Sequence, residues 1–237
     1  MNSNHGQIDK QTAQRKKYRD RGLALAEELG LDGEKSLLTF CADQKKESLA
    51  RGTACLALGF LQYEPAVPTL LELADDPDLS LVVNATRALE MIADPRAFQP
   101  MLTLAKDATR VEVRNRAIDV LGMLGDNRAE ETFVSILSDR REAESTRCSA
   151  ADAIGCLPQH SGRAVSCLLE ALKEPSALIR WTALNTLGLI GDQSVVPALH
   201  ACLSDKEIVP DLPEATTVAS AAENALKNLK ACTQCSS

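Results

Sequence analysis

Six alanines set the terms on which this chain can fold. Ala54, Ala85, Ala117, Ala150, Ala183 and Ala222 recur at intervals of 31, 32, 33, 33 and 39 residues. Each is followed four residues later by a branched aliphatic side chain: Leu58, Leu89, Leu121, Ile154, Leu187 and Leu226. Three residues beyond come Leu61, Ile92, Leu124, Leu157, Ile190 and Leu229. Positions zero, four and seven share one face of a 3.6-residue helix, so every alanine marks an amphipathic helix. A period of this length belongs to stacked supersecondary units, none of which can bury its apolar face alone.

The turns repeat with the helices. Gly59, Gly122, Gly155 and Gly188 stand five residues after their alanines, where a missing side chain lets helices approach closely. Gly125-Asp126 and Gly191-Asp192 join a C-terminal Gly to an Asp that caps the next helix. Asp94-Pro95 is the same start signal with Pro at the first helical position. Second helices are expected at Pro68–Ala74, Phe98–Ala105, Ala129–Leu137, Val165–Leu172 and Val196–Leu203. Tyr18–Leu29 and Glu34–Ala42 form a partial first copy, and Glu214–Lys230 a last helix without a partner. The expectation is thirteen helices, seven first and six second. Residues 14–230 then form a single all-α body: a capping pair at 14–43, five helix-pair repeats at 48–205 and a capping helix at 214–230. A disordered tail is expected at 1–13 and a flexible one at 231–237.

The pattern resembles HEAT repeats, specifically the short phycobilisome-lyase type. The residues that carry the resemblance are Val113-Arg114, Leu121-Gly122, Gly125-Asp126 and Val196-Pro197-Ala198-Leu199, within a match covering roughly residues 34–229. The second full repeat departs from it, with Val82 in place of the Arg and Glu90 in place of the Gly. The resemblance implies a right-handed α-solenoid of stacked antiparallel helix pairs whose second helices line the concave face.

Composition agrees with stacked helices, since 45% of the residues are hydrophobic and only 3% aromatic. No apolar run approaches the ~20 residues that span a bilayer, and Met1–Gln7 lacks the apolar segment of a secretory signal. A cytoplasmic protein without membrane contact is expected. In that setting the eight cysteines read as small buried hydrophobes rather than a disulfide framework.

In a repeat array, function is sought in columns, one position from each copy. One column is acidic: Asp43, Asp76, Asp107, Asp139, Glu174 and Asp205 end the second helices. It is followed by Arg51, Arg114, Arg147 and Arg180, and capping and ion pairing explain it better than catalysis. Arg96, Arg128 and Arg163 start second helices and could meet an acidic partner, although they stand far apart. A polar column on the exposed ridge of the second helices runs through Thr39, Glu72, Thr103, Ser135 and Glu170, with Asp75, Lys106, Ser138 and Lys173 one turn on. These nine are the candidate partner-binding residues. Trp181, the one tryptophan, is expected in core or edge packing, and His200, which replaces an apolar position, half-buried.

Familiar chemistry is missing. Cys232-x-x-Cys235 has no second ligand pair for zinc. His5, His160 and His200 are scattered, and none precedes a Glu as iron-binding HEAT-like hydroxylases require. Asp9–Arg21 holds six basic residues against two acidic, but it lacks clustered aromatics and is attached to a chain of net charge −7, which disfavours nucleic acid. The sequence thus assigns no catalytic, cofactor-binding or metal-ligating residue and leaves oligomeric state unread. The favoured expectation is a non-enzymatic interaction scaffold that holds another protein on its concave face. The alternative, from the repeat type, is a subunit of a phycobilin lyase or a chromophore-detaching protein.

Overall fold

The computed structural model describes residues 3–210, 212 and 216–235, and the side chains of 16–210, 212 and 216–229. Thirteen α-helices lie among the described residues, with no named strand. The chain divides into two compact units with the boundary after Val120.

The first unit holds α1 (Ser3–Glu28), α2 (Gly33–Ala42), α3 (Ser48–Phe60), α4 (Val67–Leu73), α5 (Leu79–Ile92), α6 (Phe98–Asp107) and most of α7 (Val111–Leu124). The second holds the end of α7, α8 (Glu130–Ser138), α9 (Glu144–Cys156), α10 (Gly162–Ala171), α11 (Ala177–Ile190), α12 (Val196–Ala201) and α13 (Val218–Cys235). Odd-numbered helices are the expected first helices and even-numbered ones the second. The backbone of α1 begins at Ser3, eleven residues before the expected capping pair at 14. The side chains of the expected tails, including Cys232 and Cys235, lie outside the described residues, as do Pro213 and Glu214.

Packing follows the columns. All six repeat alanines are fully buried, as are Leu58, Leu89, Leu121, Ile154 and Leu187. At the third apolar position Leu157 and Leu229 are buried, while Leu61, Ile92, Leu124 and Ile190 are half-buried. The glycines do set the spacing. In the first unit a Cβ on Gly59 would lie 2.7 Å from Ala88 Cα, and in the second one on Gly188 would lie 2.7 Å from Ala225 Cα. Backbone therefore meets backbone where α3 crosses α5 and where α11 crosses α13.

The Asp caps form as expected, with one difference. The carboxylates of Asp94, Asp126 and Asp192 accept from the backbone N–H two residues on. What they cap is a three-residue 3-10 turn that leads into α6, α8 and α12. The residue before each cap is left-handed: Ala93 at φ 52, Gly125 at φ 62 and Gly191 at φ 79.

Candidate functional site

The acidic column and its arginines are structural. Asp43, Asp76, Asp139 and Asp205 each accept a hydrogen bond from the backbone N–H two residues later, closing the turn after a second helix. Arg147, 6% exposed, reaches from α9 in two directions. Its Nε donates to the Leu137 carbonyl at 2.8 Å, at the end of α8, and its Nη2 to Glu174 Oε1 at 3.0 Å, beyond the end of α10. The hydrogen bond from Arg147 holds the Glu174 carboxyl below the usual range. Arg180 repeats the device, donating to the Glu174 and Pro175 carbonyls at 2.8 and 2.7 Å and to Asp205 Oδ2 at 2.9 Å. A guanidinium at the carbonyl end of a helix also meets the negative end of its dipole.

The rim arginines do not present three free charges. Arg96 folds back on Asp94 and Arg128 on Asp126, while Arg163 pairs with Glu131 at 2.7 Å.

All nine ridge residues are exposed. Thr39 and Thr103 turn their hydroxyls back to the carbonyls of Lys35 and Gln99, so they offer lone pairs rather than donors. Asp75 receives Arg110 Nη2 at 3.3 Å. The structure gathers three of the nine. Ser138, Glu170 and Lys173 line a groove of about 540 Å³ in the second unit, between α8 and α10, with Arg147 also in its lining. Arg140, Arg163 and Cys167 complete its polar lining. Ser138 Oγ lies 3.2 Å from Cys167 Sγ, and Lys173 Nζ 2.6 Å from Glu170 Oε1. In the lining Arg140, Arg147, Arg163 and Lys173 outnumber Glu170 and Glu174, and each is ion-paired: Arg140 and Arg147 with Glu174, Lys173 with Glu170, and Arg163 with Glu131 outside the lining. Thr39 lines a different hollow of about 390 Å³ in the first unit, beside Phe40 and Lys46. Glu72, Asp75, Thr103, Lys106 and Ser135 line neither hollow.

Arg140 and Cys167 were not among the expected residues. The signal for Cys167 lay along α10 rather than across the copies: Arg163, Cys167 and Glu170 are spaced four and three apart, on one helix face, whereas Arg140 stands in the turn after α8. Two expectations are corrected. His200 is exposed, in the last turn of α12. Cys156, expected inside, is exposed at the end of α9. Trp181 is half-buried.

Helix pairs stacked in register, joined by capped turns and arginine clamps, define an α-solenoid repeat protein. The HEAT repeats family matches residues 34–122 and 131–227, well over half of the chain, and the chain belongs to that family. Its repeats are of the short phycobilisome-lyase type. The chain is 30% identical over 152 residues to the bilin biosynthesis protein PecE of Nostoc sp. (strain PCC 7120 / SAG 25.82 / UTEX 2576), covering 63% of this chain and 58% of the relative. It is 31% identical over 157 residues to PecE of Mastigocladus laminosus, covering 64% and 55%. The chain thus spans under two thirds of the length of these curated relatives.

Two solved structures share the fold. The complex of CpcE and CpcF of phycocyanin lyase from Nostoc sp. PCC7120 matches with a TM-score of 0.51 at 24% identity, over 90% of this chain and 77% of that one. A computationally designed armadillo repeat protein for modular peptide recognition matches with a TM-score of 0.51 at 19% identity, over 81% and 98%. The relatives overturn the expectation of a non-enzymatic scaffold, because the proteins similar to this chain in sequence are named for bilin biosynthesis. Among the described residues, no helix is long and apolar enough to cross a membrane.

Proposed function

We propose that this chain is a subunit of a phycobilin lyase or of a protein that detaches such a chromophore. The observation that carries the reading is the 30–31% identity to two PecE proteins over 152 and 157 residues. The groove supports it. A bilin is an open-chain tetrapyrrole with two carboxylate side chains, and ligand sites of this kind occupy ~300–1,000 Å³. Arg140, Arg163 and Lys173 would exchange their present partners Glu174, Glu131 and Glu170 for the bilin carboxylates, the arginines in fork geometry. Ser138 and Cys167 would lie along the ring system. This assigns the chain binding and orientation; the bond made or broken belongs to the chromophore and its acceptor protein.

A second polypeptide is part of the proposal, since a fold neighbour is a complex of two chains. The ridge residues outside the groove, namely Thr39, Glu72, Asp75, Thr103, Lys106 and Ser135, are the proposed contacts for it. Cytoplasmic action fits the lack of a membrane-crossing helix among the described residues.

The test is co-expression of the chain with a phycobiliprotein subunit and a bilin, with and without a second lyase-type subunit. Covalent bilin is read by absorbance and by fluorescence in a denaturing gel. The expected result is a gain or loss of attached bilin that depends on this chain and falls roughly tenfold in an Arg163→Glu, Lys173→Glu double variant, about 1.4 kcal/mol of binding. No change in attached bilin in any combination, together with no spectral shift of free bilin on adding the chain, would overturn the reading.

A further inference from the structure

The first helix pair contains a feature that the other copies lack. Cys41, in the last turn of α2, and Cys55, in the middle of α3, face each other with their sulfurs 2.9 Å apart. Both are fully buried. The same two places hold Ala74 and Thr86 in the next repeat, Ala105 and Ile118 in the one after, and Leu137 and Ala151 beyond that. An apolar or small side chain therefore suffices for packing, and the paired thiols are particular to this repeat.

Arg51 adds a second, independent observation. It is 6% exposed and donates from Nε to the Cys41 carbonyl at 2.9 Å. Among the described residues no carboxylate pairs with it, unlike Arg147 with Glu174 and Arg180 with Asp205. Its charge is therefore available to the thiols.

We propose that Cys41 and Cys55 form a redox-active dithiol, which hydrogen peroxide closes to a disulfide that pins α2 to α3. The hydrogen bond from Cys55, followed by the charge of Arg51, lowers the Cys41 thiol below its ordinary value, while the same hydrogen bond and burial raise Cys55. Cys41 is accordingly the attacking thiolate and Cys55 the resolving thiol. The Cys41 thiolate takes one oxygen from peroxide, breaking the O–O bond to give a sulfenic acid and hydroxide, which is neutralised by the proton that Cys41 released. The Cys55 sulfur then displaces that oxygen, its proton leaving with it as water. Two thiols and one peroxide yield one disulfide and two waters. A disulfide holds its sulfurs at about 2.05 Å, so closure from the observed separation is a shift of under about 1 Å. Peroxide is small and uncharged, which suits a pair with no exposed surface. The inference does not depend on the bilin reading.

The test treats the full chain with peroxide, alkylates the remaining thiols after denaturation and maps the peptides by mass spectrometry. The expected product joins the peptides of Cys41 and Cys55, is two hydrogens lighter and reverts with dithiothreitol. Its melting temperature rises on the order of 5 °C. Cys41→Ala and Cys55→Ala each abolish the link and the rise; circular dichroism confirms that they fold, as the Ala74 counterpart leads one to expect. Recovery of both cysteines as alkylated thiols after the exposed Cys156 has been oxidised overturns the proposal. So does a Cys41 that goes on to sulfinic acid with Cys55 still free, or a link formed equally well between other cysteines.

Discussion

Arg51 and Arg147 occupy the same place in different copies, and what surrounds them differs. Each is 6% exposed, and each donates from Nε to a carbonyl ten residues earlier, Cys41 for one and Leu137 for the other. Arg147 then meets Glu174, whereas Arg51 meets no carboxylate among the described residues and its charge acts on the Cys41 and Cys55 thiols. The shared bond shows that the arginine is first a fastener for the end of a preceding helix. The unshared partner decides whether its charge is neutralised in an ion pair or acts on its neighbours.

The sharpest way to break this comparison is to remove each arginine. Arg147→Ala takes from the Glu174 carboxylate the more deeply buried of its two arginines, leaving Arg140 at 3.1 Å, and also loses the bond to the Leu137 carbonyl; it should cost about 2–4 kcal/mol in urea unfolding. Arg51→Ala loses a charge-assisted bond to a carbonyl and should cost about 1–3 kcal/mol; equal losses would mean that the carboxylate adds nothing. Next in size are the glycine crossings. Gly59→Ala should destabilise by about 1–3 kcal/mol because its Cβ meets backbone. Gly155→Ala meets side-chain atoms rather than backbone, Thr186 Cγ2 at 3.1 Å and Leu189 Cδ1 at 3.8 Å, and should cost less than Gly59→Ala as measured by thermal melting.

Charge gives the smaller effects. The Glu174 carboxyl is depressed by Arg147, so its contribution is present above its unfolded pKa and lost as pH falls through the folded value. A Glu174→Gln variant should show a flatter acid limb in melting temperature against pH, meeting the parent curve at low pH. Glu90 is the converse. It stands where the other first helices carry Gly, its Oε1 is buried without a hydrogen-bond donor, and Arg116 is 4.0 Å away. Burial, then Asp119, raises its pKa, so the penalty is present at neutral pH and fades as pH falls through the raised value. Glu90→Gln should gain about 1 kcal/mol at pH 7 and progressively less at lower pH.

Much of the architecture was legible because it rests on short-range regularities. Ala117 with Leu121 four residues on gives a helix face, Gly122 gives a crossing, and Asp126 gives a cap, each from a few neighbouring residues. The acids Glu174 and Asp205 were likewise readable as partners of Arg147 and Arg180. The groove was harder to read, because it is assembled from the turn residue Arg140 and from one face of α10 packed beside α8. Comparing copies column by column finds what they share, and Cys167 and Arg140 matter where one copy differs. The Cys41–Cys55 pair escaped for the same reason: each cysteine alone reads as a small apolar side chain, and only their meeting across two helices gives them chemistry.

The two clamps in the second unit meet at one residue. Arg147 takes the carboxylate of Glu174, and Arg180 takes its backbone carbonyl. Stacked repeats hold together through nearest-neighbour interface energies, and here two successive interfaces share a single node. Loosening either arginine should therefore loosen both interfaces, so α8 to Asp205 should open to hydrogen exchange as one block, with a common protection factor rather than a gradient from helix to helix.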